Sequence, residues 1–245
     1  MRNAACHVKC ENGLGPFRRV ARDALLVQTI VALVTLVVPF IRATATEPVP
    51  DWPLVLEENF EAGADRWEPT DPAAWRLASG RGGQVFAQVA QSKYNPPYRS
   101  PLNVALAKDS DVTDFALDVD VKSTCPDYGH RDACLVFGYQ DAAHFYYVHL
   151  GKQTDDHANQ IFIVDGAPRT KISERTTEGT PWNDRWHHVR IVRRAEEGTI
   201  RVFFDDLDQP VMTATDRKFT HGRIGIGTFD DTAEYDDVRL TGKRP

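Results

Sequence analysis

The sequence predicts an all-β fold, a two-sheet antiparallel jelly-roll sandwich, on three observations. From Leu54 onward, apolar-rich strand patterns recur about every dozen residues, with polar, Gly- or Pro-containing turns between them. The clearest, 114–124 (DFALDVDVKST), places Phe115, Leu117, Val119 and Val121 on one face at the two-residue period of a strand. Across the same region no apolar stripe of helical period sustains itself over the length of a globular helix.

Taken in order, residues 1–45 stand apart. Arg18, Arg19 and Arg22 precede an uncharged run over 24–41 (ALLVQTIVALVTLVVPFI), and small residues follow at Ala43 and Ala45. Basic flank, apolar run and small-residue site read as a signal peptide cut near Ala45. The alternative is a retained N-terminal membrane anchor, since the run is just long enough to cross a bilayer core of roughly 30 Å. Residues 46–53 (TEPVPDWP) are a Pro-rich linker, and 54–243 form the β-sandwich domain, a normal size for one domain. Strand patterns begin at LVLEENF (Leu54) and GGQVFAQVA (Gly82). They continue through 114–124, CLVFGYQD (134–141), HFYYVHL (144–150) and NQIFIVDG (159–166). WHHVRIVRR and TIRVFFDD flank the turn AEEG as a hairpin, and PVMTATD, GRIGIGTFDD and YDDVRLTG close the chain. The glycines of GRIGIG lie on a strand pattern with no helix after it, so they read as sites of close sheet packing, not as a nucleotide loop.

Charge limits the partners. The leader carries six Lys/Arg and two Asp/Glu, so the remainder has 23 against 33, a net charge of −10. No basic stripe offsets this, which excludes nucleic acid as an expected partner. Membrane contact is expected only through the N-terminal segment if it is uncleaved. The predicted location is therefore exported: periplasmic, extracellular or cell-surface. Outside the leader only Cys125 and Cys134 remain, bracketing the loop CPDYGHRDAC. In an exported protein this suggests a disulfide pinning the loop, and two unpaired thiols are the alternative.

The order of NF, RWEPTDPAAWRL, DFALDVDV, CLVFGYQDAAHFYYVHL, WHHVRIVRRAEEGTIRVFFDD and GRIGIGTFDDTAEYDDVRL resembles the concanavalin A-like lectin/glucanase superfamily. It is particularly similar to laminin-G-like and 3-keto-disaccharide-hydrolase-like (DUF1080) domains of secreted bacterial proteins. The resemblance covers about 54–242 and implies the sandwich fold, but the superfamily holds lectins, hydrolases, lyases and adhesion modules, so fold does not choose among them. The acid–x–acid–x–x–acid strand of related glucanases is missing. EENFE and DLD do not supply two carboxyls about 5 Å apart, so a retaining two-carboxylate mechanism is not assigned.

If Tyr146, Val148 and Leu150 point into the core, period two places Phe145, Tyr147 and His149 on the other face. In the family that face is commonly the concave ligand face, where a ring stacks on a sugar and His or Gln bonds its hydroxyls. The opposite assignment buries Tyr147 and His149 as core polar residues. The loop supplies Tyr128, His130, Arg131 and Asp132, either as a site with a His–Asp pair and an anion-holding Arg or as an exposed loop with an Arg–Asp ion pair. TDDHANQ adds Asp155, Asp156, His157, Asn159 and Gln160, as sugar-bonding groups or loop caps, with metal ligation the alternative, and Lys171 is expected on the same face. Tyr94, Tyr98 and Arg99 are expected at the mouth of the groove, while Trp182 and Trp186 read as packing residues.

The leading expectation is an exported carbohydrate-binding domain with a shallow glycan groove. Its rivals are a glycoside hydrolase or polysaccharide lyase with His130, Tyr147 or His149 as acid/base, and a cell-surface structural or adhesion module. From the resemblance, Glu58 and Asp237 are carried over as a candidate structural Ca²⁺ site joining the first and last strands.

Overall fold

The computed structural model describes residues 50–245, so the expectations for 1–45 and for the first half of the linker, 46–49, fall outside the described residues. Among the described residues, sixteen strands make two antiparallel sheets, and a 3-10 turn at Pro72–Ala74 is the helical element.

One sheet has nine strands. These are β1 (Leu54–Glu58), β3 (Trp75–Gly80), β4 (Gly83–Gln88), β6 (Phe115–Ser123), β11 (Ser173–Thr176), β12 (His187–Arg194), β13 (Thr199–Phe204), β14 (Met212–Thr215) and β16 (Ala233–Gly242). Their order is β11-β14-β13-β12-β6-β16-β4-β3, with β1 also on β16. The other sheet has seven. These are β2 (Trp67–Pro69), β5 (Asn103–Ala107), β7 (Cys134–Asp141), β8 (His144–His149), β9 (Gln160–Asp165), β10 (Thr170–Lys171) and β15 (Arg223–Thr228). Their order is β10-β9-β8-β7-β15-β5-β2.

Alternation determines what lies between the sheets. Phe115, Leu117, Val119 and Val121 of β6 enter the inter-sheet core with Val189 and Ile191 of β12 and Leu135, Phe137, Tyr146 and Val148 of β7 and β8. The expected face of β6 is therefore the observed one. The glycines of β15 act as expected too. A Cβ on Gly227 would come within 1.9 Å of the Asn103 carbonyl oxygen, so only glycine lets β15 sit this close to β5. Strands β2, β3 and β5 escape sequence reading. The first is three residues long, and β5 (NVALA) is buried on both faces and carries no alternation. Strand β16 shifts register between Asp236 and Arg239, where Asp237 adopts φ +45°.

The seven-stranded sheet is apolar on its outer face too. Val104, Leu106, Cys134, Val136, Phe145, Tyr147, Phe162 and Val164 form a second cluster there, with Tyr98, Tyr139 and Phe229 packed against it. The Pro-rich segment between β4 and β5 is tied to this sheet: the Ser92 N–H donates to Asn103 Oδ1 (2.8 Å) and the Leu102 N–H to the Phe229 carbonyl (3.0 Å).

The outer face of the nine-stranded sheet is polar instead. His188 of β12 reaches Asp120 Oδ1 at 2.6 Å through Nδ1 and Asp118 Oδ1 at 2.8 Å through Nε2. His187, its neighbour, turns the other way and stacks on Phe204. Hydrogen bonds to Asp118 and Asp120 push the His188 pKa up to about 9, against partial burial. A histidine whose pKa is raised on folding stabilises fully below its unfolded value near 6.5 and ceases to stabilise as pH rises through about 9. His188→Ala is expected to destabilise on the order of 0.5–1 kcal/mol at pH 6, since its side chain is partly solvated. The difference from wild type should shrink to nothing by pH 10 in paired thermal melts.

Candidate functional site

The outer face of the seven-stranded sheet gathers most of the sequence-predicted residues at one corner. Tyr147 and His149 do lie on the face opposite Tyr146 and Val148, as period two requires. That face is covered, however: Tyr147 is 0% and His149 5% exposed. The expectation of open ligand contacts at these two positions is corrected, because an apolar outer face has to be shielded from water.

The cover is a layered stack. The Arg169 guanidinium lies 4.6 Å from the centre of the Phe162 ring and 4.4 Å from that of Phe229. Phe162 in turn stacks on Tyr147 at 5.1 Å, and Phe229 on His149 at 5.5 Å. Arg169 Nη1 donates to the Tyr147 hydroxyl (2.7 Å) and Nη2 to the His157 carbonyl (3.0 Å). That carbonyl also pairs with Nδ1 of His149 at 2.9 Å. Burial, the largest influence, pushes the Tyr147 phenol well above its ordinary pKa, so it is not a base near neutral pH.

Two carboxylates join the loops behind this stack. Asp231 accepts from the Tyr128 hydroxyl (2.6 Å) and from the Asp132 N–H (2.8 Å). Asp132 accepts from the Phe229 N–H (2.9 Å). The loop before β7 is thereby fixed to the loop after β15. Asp230 projects from this corner, exposed. Partial burial, then the charges of Asp132 and Asp231, raise its pKa from the ordinary aspartate value. Asp132, Cys134 and His149 each bring one ligand atom within 4.8 Å of the others, as do Asp132, Asp230 and Asp231.

The remaining predicted residues separate. Arg131 is 1% exposed and donates to Ser123 Oγ, the Ser123 and Asn183 carbonyls and Asp184 Oδ1, at 2.8–3.1 Å. It is an internal strut, which corrects its expected role as an anion-holding group; of the alternative, the Arg–Asp pairing is present, to Asp127 (3.8 Å) and Asp184 (3.0 Å), but the guanidinium is buried. Gln160 is buried and donates to the Asp155 carbonyl (2.9 Å), supporting its loop and not a ligand. His130 is exposed beside Tyr128, and the exposed His157 contributes its carbonyl to the stack. Lys171, opposite Phe162 in register, lies on the outer face and pairs with Asp156 at 2.5 Å. Trp182 packs in the core and donates to the Leu150 carbonyl, while Trp186 lies under the Arg81 guanidinium.

Glu58 and Asp237 line one cavity of about 400 Å³ with Glu57 and Asn59. Glu58 accepts from the Phe60 N–H (3.0 Å), and Asp237 from Arg81 (3.2 Å). The expected disulfide is corrected: Cys125 and Cys134 are free. Cys134 faces the outer apolar cluster, whereas Cys125 lies 3.7 Å from Thr232 Oγ1, so the two sulfurs serve different neighbours.

Sequence reasoning passed over Arg169, Phe229, Asp230 and Asp231. Arg169 sits two residues before Lys171, the cation it did select. The signal for the others was FDD directly after the glycine strand, a ring and two carboxylates at a strand end.

No protein-family model matches this sequence, and comparison with the curated proteins finds no match. Solved structures do match in fold. A carbohydrate-binding module, CBM66 from Bacillus subtilis, shares 16% identity with a TM-score of 0.52, over 72% of this chain and 96% of that one. The cellulose-induced protein Cip1 shares 11%, TM-score 0.52, over 78% and 98%. Domain 4 of AbnA, a GH43 extracellular arabinanase from Geobacillus stearothermophilus solved with arabinotriose, shares 11%, TM-score 0.50, over 78% and 93%. At these identities the likeness establishes the β-sandwich fold.

Two outcomes check these assignments. Arg131→Ala is expected to cost about 3 kcal/mol or more in urea unfolding, because it leaves buried acceptors without their donor; a mere ligand contact would leave stability unchanged. Alkylation of denatured, unreduced protein should label both Cys125 and Cys134, read by peptide mass, with no linked peptide.

Proposed function

We propose that the sandwich binds a carbohydrate where Arg169, Phe229 and Asp230 reach the surface of the seven-stranded sheet. The observation that carries this reading is the Arg169 guanidinium held against the Phe162 and Phe229 rings, with the exposed Asp230 next to Phe229 in the chain. A sugar presents vicinal hydroxyls, which need donors and acceptors held at fixed spacing, and C–H faces, which pack on rings. Arg169 supplies planar donors, Asp230 an acceptor and half-buried Phe229 a ring edge. Tyr128, His130, Arg99 and Lys171 form the charged and aromatic surroundings. The carbohydrate-binding module and the arabinotriose-bound domain among the fold neighbours support this choice of ligand class.

Binding is preferred to catalysis because two of the three candidate acid/base groups, Tyr147 and His149, are buried. The setting belongs to the same proposal: the apolar run over 24–41 directs the domain out of the cytoplasm.

Affinity electrophoresis against a panel of neutral and acidic polysaccharides tests it. Arg169→Ala with Asp230→Asn is expected to weaken retention at least about tenfold, equivalent to roughly 1.4 kcal/mol. Retention by no polysaccharide, or retention unchanged in the double variant, sinks the proposal. Cleavage of a retained polysaccharide would favour the enzyme reading instead.

A further inference from the structure

Beneath the Arg169 stack lies an arrangement that sugar binding does not use. His149 is 5% exposed, and its Nδ1 is 2.9 Å from the His157 carbonyl. A carbonyl only accepts, so Nδ1 carries the proton and donates it. In the neutral ring Nε2 presents a lone pair, and that atom is buried without a hydrogen-bond partner among the described residues. The charged group it faces is Asp132 Oδ2, 3.4 Å away. A buried ring nitrogen and a buried carboxylate oxygen thus stand face to face with no hydrogen bond between them. The sulfur of Cys134, itself 0% exposed, is the third member.

We propose that Asp132, Cys134 and His149 form a binding site for a divalent transition metal of the zinc class. A shared cation turns the facing of Nε2 and Asp132 into coordination. The donor set selects the metal: thiolate with imidazole and carboxylate suits zinc and disfavours Ca²⁺ or Mg²⁺, which take all-oxygen shells. The supporting bonds are those of ligand-orienting groups. The His157 carbonyl fixes the tautomer that offers Nε2, and the Phe229 N–H holds the other Asp132 oxygen at 2.9 Å. Bond lengths of about 2.0–2.3 Å place tetrahedral ligand atoms roughly 3.3–3.8 Å apart; His149 Nε2 and Asp132 Oδ2 already stand 3.4 Å apart, and the Cys134 sulfur lies within 4.8 Å of its partners.

Asp230 marks the open side. Its carboxylate, Asp132 and Asp231 also lie within 4.8 Å of one another. Asp231 is committed to Tyr128 and the Asp132 N–H. The fourth position therefore falls to Asp230 or to water, and the exposed Asp230 offers the ion a path in. The proposal does not rest on the sugar-binding reading, although Asp230 and the His157 carbonyl belong to both; the Co²⁺ spectra and polysaccharide retention test them separately.

The test uses full-length protein without a histidine tag, stripped with chelator and titrated with Co²⁺. One Co²⁺ per chain should produce a thiolate-to-metal charge-transfer band and four-coordinate visible bands, both bleached by Zn²⁺. The band should persist when Cys6, Cys10 and Cys125 are all replaced by Ser, and disappear with Cys134→Ser. His149→Gln should weaken Zn²⁺ binding by at least about tenfold. Wild-type protein with no thiolate band, or a band lost in the triple-Ser variant, overturns the proposal. So does a band that survives Cys134→Ser. If Cys134→Ser does not fold, the wild-type and triple-Ser spectra decide the matter.

Discussion

A sheet that is apolar on both faces has to be covered twice, and much of this structure follows from that constraint. The inner face of the seven-stranded sheet meets the nine-stranded sheet through Leu135, Phe137, Tyr146 and Val148. Its outer face, with Val136, Phe145, Tyr147 and Phe162, has no second sheet to meet. Chain between strands covers it instead: the Pro-rich segment between β4 and β5, and the β15–β16 loop bearing Phe229. Loops bring backbone polar groups and charged side chains with them. Polar chemistry and a hydrophobic surface are thus forced into one place, and Arg169 is the outcome, a cation that covers rings as well as donating hydrogen bonds.

The same constraint explains what the sequence disclosed and what it hid. Period two shows which face a side chain takes, so β6 and the division of β8 into Tyr146 and Val148 against Tyr147 and His149 were legible. It does not show what lies over a face. His149 is covered by Phe229, eighty residues further on, and Tyr147 by Phe162 and Arg169. Arg131 misled for a similar reason. A loop Arg beside Asp reads as exposed, yet its partners Ser123, Asn183 and Asp184 are gathered only by the fold. The disulfide was inferred from spacing, but strand pairing aims Cys134 at the outer cluster and away from Cys125. Short β2 and non-alternating β5 carry too little pattern for any period to reveal them.

The two outer faces contrast in function as well as polarity. On the nine-stranded sheet, His188 bridges Asp118 and Asp120, and Arg190 donates to Asp118 at 2.7 Å, so these two carboxylates have their complements. On the seven-stranded side, Asp230 stands next to like charges and the Nε2 atom of His149 faces a carboxylate. Satisfied charges hold a surface together; frustrated ones favour binding something that relieves them.

One oxygen links the two layers of that frustrated corner. The His157 carbonyl takes the Nη2 proton of surface-reaching Arg169 on one side and the Nδ1 proton of buried His149 on the other, engaging both of its lone pairs. Neither group can shift without disturbing the bond the other makes. Any molecule that pulls on the guanidinium from outside therefore also perturbs the imidazole inside, with no rearrangement of either sheet.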